Sequence, residues 1–281
     1  MMLKKRIMTA LCIFSAFLLC LLLLPAVWFS VIIELTLLVA AWEWANLSGF
    51  QHYRQRVAYC IFFALLLALL TFYLDLLVGT QLNHPKLLSI LLLSGTWWAI
   101  ALLWVQNYPA SSVLWGNRWV RGAIGFLVLI PSALALVFLN NQPQGTWLIL
   151  FVVIVVATAD TGAYFSGKAF GRHKLAKEVS PGKSWEGFWG GLMSCVLLTV
   201  VVALVTDFAS WPTLLAIVLP TALVSVLGDL LESMIKRHRG IKDSGKILPG
   251  HGGVLDRIDG LTAAAPVFAL AIIISDWQFT Q

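Results

Sequence analysis

The sequence predicts an all-α fold that crosses a membrane about nine times, with the N-terminus in the cytoplasm and the C-terminus outside. Three observations predict it. The first is composition: of 281 residues, 60% are hydrophobic and 11% charged, where an ordinary soluble domain carries about 25% charged residues. The second is arrangement. The apolar residues fall in long uncharged runs, each near the ~20 residues that a spanning helix needs. The third is the placing of the cations. With the N-terminus inside, eighteen of the nineteen Lys and Arg lie in cytoplasmic segments, and only Lys86 faces the other side. That is the positive-inside bias, and it supports an odd number of spans.

The runs occupy roughly 7–24, 26–45, 57–77, 87–106, 120–139, 146–167, 187–206, 212–235 and 260–276. The basic start Lys4-Lys5-Arg6 could open a signal peptide. No small-x-small cleavage site follows, and the run ends in Pro25-Ala26-Val27-Trp28, so the segment reads as an uncleaved first span with a tight turn at Pro25. Thirteen Trp suit the membrane–water boundary. The four cysteines, Cys12, Cys20, Cys60 and Cys195, sit inside apolar runs and read as small hydrophobes. The net charge of +6 comes from short loops between spans, so orientation explains it and nucleic acid is not an expected partner. The last six residues, Asp276 to Gln281, are expected outside.

Polar residues divide the chain in two. Residues 1–140 have short connections and read as a transmembrane scaffold. Residues 141–281 carry two long cytoplasmic loops, about 168–186 and 236–259, rich in Lys, Arg, Asp, Gly and Ser. Chemistry is expected there, and Ser184 and Ser244 are expected to be open to water from that side.

The eighth span ends in Asp229, Glu232, Ser233 and Lys236, which share one helix face at i, i+3, i+4 and i+7. At 1.5 Å per residue Asp229 lies about 25 Å along a core about 30 Å thick. An acid at that depth is costly unless paired or bound to a cation, so it marks function. A salt bridge to Lys236 or a neighbouring lysine is the structural alternative. In the sixth span Asp160 and Tyr164 share a face, and Gly162 and Gly167 allow a neighbouring helix to approach. Pairing of Asp160 with Lys168 or Arg172 is the plainer possibility there. The following Ser180-Pro181-Gly182-Lys183-Ser184 suggests a P-loop but lacks its first glycine, which would fall at Lys177. Lys183 with Ser180 and Ser184 still suits phosphate; a basic loop facing anionic lipid is the alternative.

The last loop holds five glycines from Gly240 to Gly253, which would let backbone approach a ligand. Asp256 and Asp259, at i and i+3 at the start of the final helix, have the hard oxygen character that suits Mg²⁺. An N-cap role for Asp256 could coexist. His251 has no partner for zinc and reads equally as a loop hydrogen-bonder.

The stretch Ser233-x-Ile235-Lys236-Arg237, Lys242-Asp243-x-Gly245, Leu248-Pro249-x-His251-Gly252-Gly253-Val254 and Asp256-Arg257-Ile258-Asp259 resembles the diagnostic motif of the phosphatidate cytidylyltransferase (CDP-diacylglycerol synthase) family, without departure across residues 233–259. Thr158 to Lys168 and Ser180 to Gly187 resemble that family's upstream motifs. The resemblance implies transfer from CTP to phosphatidate, giving CDP-diacylglycerol and pyrophosphate at an inner membrane, with a divalent metal and a homodimer. On that reading Asp229, Asp256, Lys236 and Asp160 carry the chemistry, and Asp229, Asp256, Asp259 and Glu232 are candidate Mg²⁺ ligands. Their surplus of charge leaves room for a monovalent ion such as K⁺. Ser180, Lys183, Ser184, Ser233, Arg237, Lys242, Asp243, His251, Gly252 and Arg257 would meet CTP or lipid phosphate, and the N-terminal helices would hold the acyl chains. A secondary transporter is the first rival, since intramembrane acids near Gly and Pro mark ion paths, but no matching broken helices appear in the two halves. The second is a CDP-alcohol phosphotransferase, whose Asp-Gly is followed by Ala-Arg; here Asp259-Gly260 is followed by Leu261-Thr262.

Overall fold

A computed structural model describes residues 2–76, 85–206 and 209–275; the tail expected outside, Asp276 to Gln281, falls beyond the described residues. Among the described residues ten helices form in the order α1 (Met2–Leu23), α2 (Ala26–Ser48), α3 (Tyr53–Tyr73), α4 (Pro85–Gln106), a single turn α5 (Ser112–Trp115), α6 (Arg118–Asn140), α7 (Gly145–Phe170), α8 (Trp185–Val205), α9 (Trp211–His238) and α10 (Leu255–Ser275). Between α7 and α8 lies an antiparallel hairpin of β1 (Lys174–Ala176) and β2 (Ser180–Ser184). Among the described residues eight helices, α2 to α4 and α6 to α10, are long and apolar enough to cross a membrane, while α1 carries the shorter apolar stretch Leu11–Leu23. The protein is an all-α polytopic membrane protein.

The helices begin and end close to the apolar runs. Pro25 supplies the extended N-cap residue of α2, where its missing N–H costs nothing. Ser210 caps α9, with Pro212 in its first turn. Helix α10 starts at Leu255, five residues before the apolar run alone suggests, because its first turn is polar and held by side chains rather than by lipid.

Helix α6 is the central post and is buried along nearly its whole second half. Its small and branched residues let α2, α10 and α4 close around it. Helices α7 and α8 pack closest of all. A methyl on Gly187 would lie 2.8 Å from the Ala163 carbonyl, and one on Gly191 2.6 Å from the Ala159 carbonyl. Gly162 and Gly190 oppose Ser194 and Ser166 in the same way. This is small-residue packing of membrane helices, and it fixes α7, which bears Asp160, against the helix that follows the hairpin.

The basic segments converge on one end of the bundle. Arg121 donates from Nη2 to the Ser48 carbonyl at 2.9 Å, tying the start of α6 to the end of α2. Trp115 lies 4.9 Å from the His238 ring, and Arg237 Nε donates to the Val179 carbonyl at 3.2 Å. Thr9 of α1 reaches the Pro249 carbonyl at 3.4 Å. At the opposite end Asn140 donates to Ala26 O (2.7 Å) and to Ser30 Oγ (3.0 Å). The grouping of loops read from the cation pattern is therefore the grouping the helices adopt.

Candidate active site

Two helix contacts assemble the site. In α9, Gly228 lets α10 approach until a methyl there would lie 2.5 Å from the Asp259 carbonyl and 2.7 Å from Ala263 Cβ. That contact brings Asp229 and Asp259 within electrostatic range of each other. Against the other side of α9 sits the hairpin, whose β2 delivers Lys183. Its Nζ lies 2.6 Å from Asp229 Oδ2. The Asp229 carboxylate also accepts from Ser233 Oγ at 3.1 Å, one turn on. Asp229 thus pairs with Lys183 from the hairpin rather than with Lys236.

Lys183 and Asp229 line a cavity of about 360 Å³ together with Asp160, Tyr164, Lys168, Gly182 and Ser184. Leu175, Phe188 and Val226 give it an apolar wall. Asp160 makes no ion pair with Lys168 or Arg172 among the described residues; its electrostatic partners are Lys183 and Asp229. The hairpin is braced from behind. Glu186 accepts the backbone N–H of Arg172 at 3.1 Å and pairs with His173 Nδ1 at 2.7 Å. Ser184 is buried and accepts the Gly187 N–H at 3.1 Å, so its oxygen caps α8 while its hydroxyl proton remains for a ligand.

Deeper in the bundle Lys236 is clasped by two acids. Its Nζ lies 2.7 Å from Asp256 Oδ1 and 3.0 Å from Glu232 Oε1. The ammonium meets Glu232 through Oε1 alone, and Oε2 is buried without a partner. Asp256 is fully engaged. Its Oδ2 accepts Ser244 N at 2.9 Å, Ser244 Oγ at 2.9 Å and Gly253 N at 2.8 Å. It acts as a clasp across the last loop more than as an N-cap of its own helix. Asp259 accepts the Gly260 N–H at 2.8 Å.

The remaining residues singled out in the sequence spread differently. Lys242 and Asp243 on the last loop and Arg257 in the first turn of α10 are exposed and do not line the cavity. Gly252 adopts a left-handed turn at φ 81°, with Asp243 close beneath it. His251 buries Nδ1 without a partner, and Ser180 is half-buried in the hairpin. Ser244, expected to be open to water, is fully buried. Its hydroxyl and backbone are both used inside the protein.

Among the described residues no three His, Cys, Asp or Glu side chains converge on a metal position by themselves. The donor chemistry nevertheless fits a hard cation. Among the described residues, Asp160, Asp229, Glu232, Asp256 and Asp259 form one linked cluster whose leading cationic partners are Lys183 and Lys236. Five carboxylates against two lysines leave a formal surplus of three negative charges. Mg²⁺ commonly takes one or two protein carboxylates and completes its shell with phosphate oxygens and water.

One residue was missed by sequence reasoning. Glu43, from α2, is buried against the last loop and accepts Leu255 N at 2.8 Å and Val254 N at 3.1 Å. The signal was present, since Trp42-Glu43-Trp44 places an acid inside an apolar run. The rule applied to Asp160 and Asp229 applies equally there.

Comparison with known proteins places the chain in a family. A model of the cytidylyltransferase family matches residues 4–275. The phosphatidate cytidylyltransferase of Pseudomonas aeruginosa is 46% identical over 279 residues, covering 98% of this chain and 99% of the relative. That of Haemophilus influenzae is 37% identical over 285 aligned residues, covering 95% and 98%. That of Brucella suis is 44% identical over 166 residues, covering 57% and 61%. With the match running through the scaffold helices as well as the polar cluster, the chain belongs to the phosphatidate cytidylyltransferase family.

Proposed function

We propose that this membrane enzyme transfers the cytidylyl group of CTP to phosphatidate, at the cytoplasmic face of the inner membrane and with Mg²⁺. The observation that carries the reading is the Lys183–Asp229 pair at the mouth of a half-apolar cavity. It puts a phosphate-binding cation beside a surplus of carboxylates at the basic end of a membrane bundle.

An oxygen of the phosphatidate phosphate attacks the α-phosphorus of CTP. The bond from that phosphorus to the bridging oxygen breaks, and pyrophosphate leaves with the electron pair. The attacking oxygen is already anionic at neutral pH, so no strong base is needed. The difficulty is bringing two polyanions together, and the residues act on that. Lys183 and Lys168 line the cavity where the phosphates would lie. Ser180 and Ser184 would donate to their oxygens, and Arg237, Lys242 and Arg257 add positive charge to the same end of the bundle. Lys236, tied between Glu232 and Asp256, keeps those acids in place from inside. Asp229, with Asp259 or Asp160, would hold Mg²⁺, which when bound neutralises charge developing on the leaving pyrophosphate. K⁺ has room in the same surplus.

Three finer parts of the proposal have separate support. The cytoplasmic placing rests on the cation split. An acyl-chain groove in residues 1–140 is supported by an apolar trough between α2 and α3, lined by Leu38, Trp42, Val57 and Ile61. A homodimer rests on the family resemblance. The test is purified protein in detergent with labelled CTP and phosphatidate. Label should enter a CDP-lipid with Mg²⁺ and not with a chelator. Incorporation that needs CDP-lipid and an alcohol instead, or none at all, would refute the reading.

A further inference from the structure

Glu43 belongs to the scaffold half, 201 residues from Ser244 in sequence, yet its carboxylate sits inside the last loop. It accepts Leu255 N at 2.8 Å, Val254 N at 3.1 Å and Ser244 Oγ at 3.2 Å. The first N–H groups of a helix have no partner in their own helix. Those of α10 are therefore satisfied by an acid from α2, whose negative charge also suits the positive end of α10.

The glycines of the loop are shaped around this carboxylate. A methyl on Gly253 would lie 2.5 Å from Glu43 Oε2, and one on Gly245 would strike the same group, 2.7 Å from its Cδ. Two of the five glycines thus make room for Glu43 and not for a ligand. Gly240, Gly250 and Gly252 serve the turns, with φ of 66°, 78° and 81°.

The contact continues toward the chemistry. Ser244 Oγ lies 3.2 Å from Glu43 Oε2 and 2.9 Å from Asp256 Oδ2. Its single hydroxyl proton bridges the two acids. Asp256 then holds Lys236, and Asp259 follows one turn along α10. A brace runs behind Glu43 as well. Asn46, one turn on, donates to the Ser244 carbonyl at 3.3 Å and accepts from Arg56 Nη2 at 2.7 Å.

We infer that Glu43 is a positioning residue for cytidylyl transfer: it clamps the 244–255 loop and the start of α10, so that Asp256 stays on Lys236 and Asp259 stays against Gly228, beside Asp229. The catalytic consequence rests on the proposed reaction, and the clamp itself does not. The test compares wild type with E43Q in micelles by amide hydrogen exchange and by steady-state kinetics. Gln keeps the volume but presents an N–H₂ where an acceptor is needed. Exchange should rise in residues 244–257 and stay unchanged in α6. The kcat should fall about 100-fold, as for a small misplacement of reacting groups, with both KM values within about threefold. S244A removes only the bridge, and its kcat should fall about tenfold. If E43Q is not recovered folded, S244A and E43D carry the same two readouts. Unchanged loop exchange, or a defect confined to KM, would overturn the proposal. If wild type makes no CDP-lipid, the reaction falls, and loop exchange alone decides the clamp.

Discussion

The two halves of the chain use charge in opposite ways. In residues 141–281 acids and lysines face each other across a cavity, and several are left with incomplete partners. Asp229 shares one lysine with Asp160, and Glu232 shares Lys236 with Asp256 and buries Oε2 without a partner. In residues 1–140 the charged groups drawn into the bundle have partners within the protein. Glu34 meets Thr71 at 3.1 Å, Arg121 closes on the Ser48 carbonyl, and Glu43 takes two backbone N–H groups and a hydroxyl. A satisfied polar group specifies a contact. An under-satisfied cluster of one sign is poised for a ligand. On the proposed reading the first half fixes geometry, and the second keeps charge in reserve for phosphate and cation.

Substitutions can break that contrast, and the largest effect belongs to the reserve. D229N is nearly isosteric and removes one negative charge from the cavity. It should leave the protein folded and lower turnover by about 10²–10³-fold, checked by initial rates beside a thermal melt. Turnover like wild type would remove Asp229 from the chemistry. K183A removes the cation that meets Asp229. A hydrogen bond to a charged group is worth about 1.5–3 kcal/mol, so kcat/KM for CTP should drop about tenfold or more. Unchanged kinetics for both substrates would make the hairpin a lipid-facing basic patch instead.

Smaller effects separate shape from charge. G253A pushes a methyl toward the Glu43 carboxylate and should cost about 1–3 kcal/mol of stability as overpacking. G182A, with nothing within 4 Å of the added methyl, should melt like wild type. Equal melting of the two would mean that the loop does not close on Glu43. The smallest change lies in the scaffold. T71V removes the donor to Glu34 and should cost about 1 kcal/mol with turnover unaffected. A loss of turnover there would show that the scaffold half shares in the chemistry more widely than through Glu43.

How much of this was legible in the sequence follows the range of the physics. The spans could be read because bilayer thickness sets the length of each apolar run. The face bearing Asp229, Glu232, Ser233 and Lys236 could be read because helical periodicity is local, and the two loops could be grouped because their cations select one side. The β1–β2 hairpin was not foreseen. Its strands are short and irregular, and it is held from outside by Glu186 and Arg237. The partner of Asp229 was also out of reach, since Lys236 is nearer in sequence but Lys183 is nearer in space. Glu43 meets its partners across about two hundred residues, and no periodicity reports such a contact. Burial of Ser184 and Ser244 was missed for the same reason. Water probes for this end of the bundle belong at exposed Gly182 or Lys246.

The central claim is that lipid and nucleotide meet at the basic end of the bundle, on the side where CTP resides. Sealed membrane vesicles of both orientations test it most directly, with CTP labelled separately on its α- and γ-phosphates and with phosphatidate in the bilayer. Inside-out vesicles should move the α-label into lipid and release the γ-label as pyrophosphate. Right-side-out vesicles should do neither until made permeable. Equal lipid labelling by intact right-side-out vesicles, or γ-label appearing in the lipid, would contradict the account.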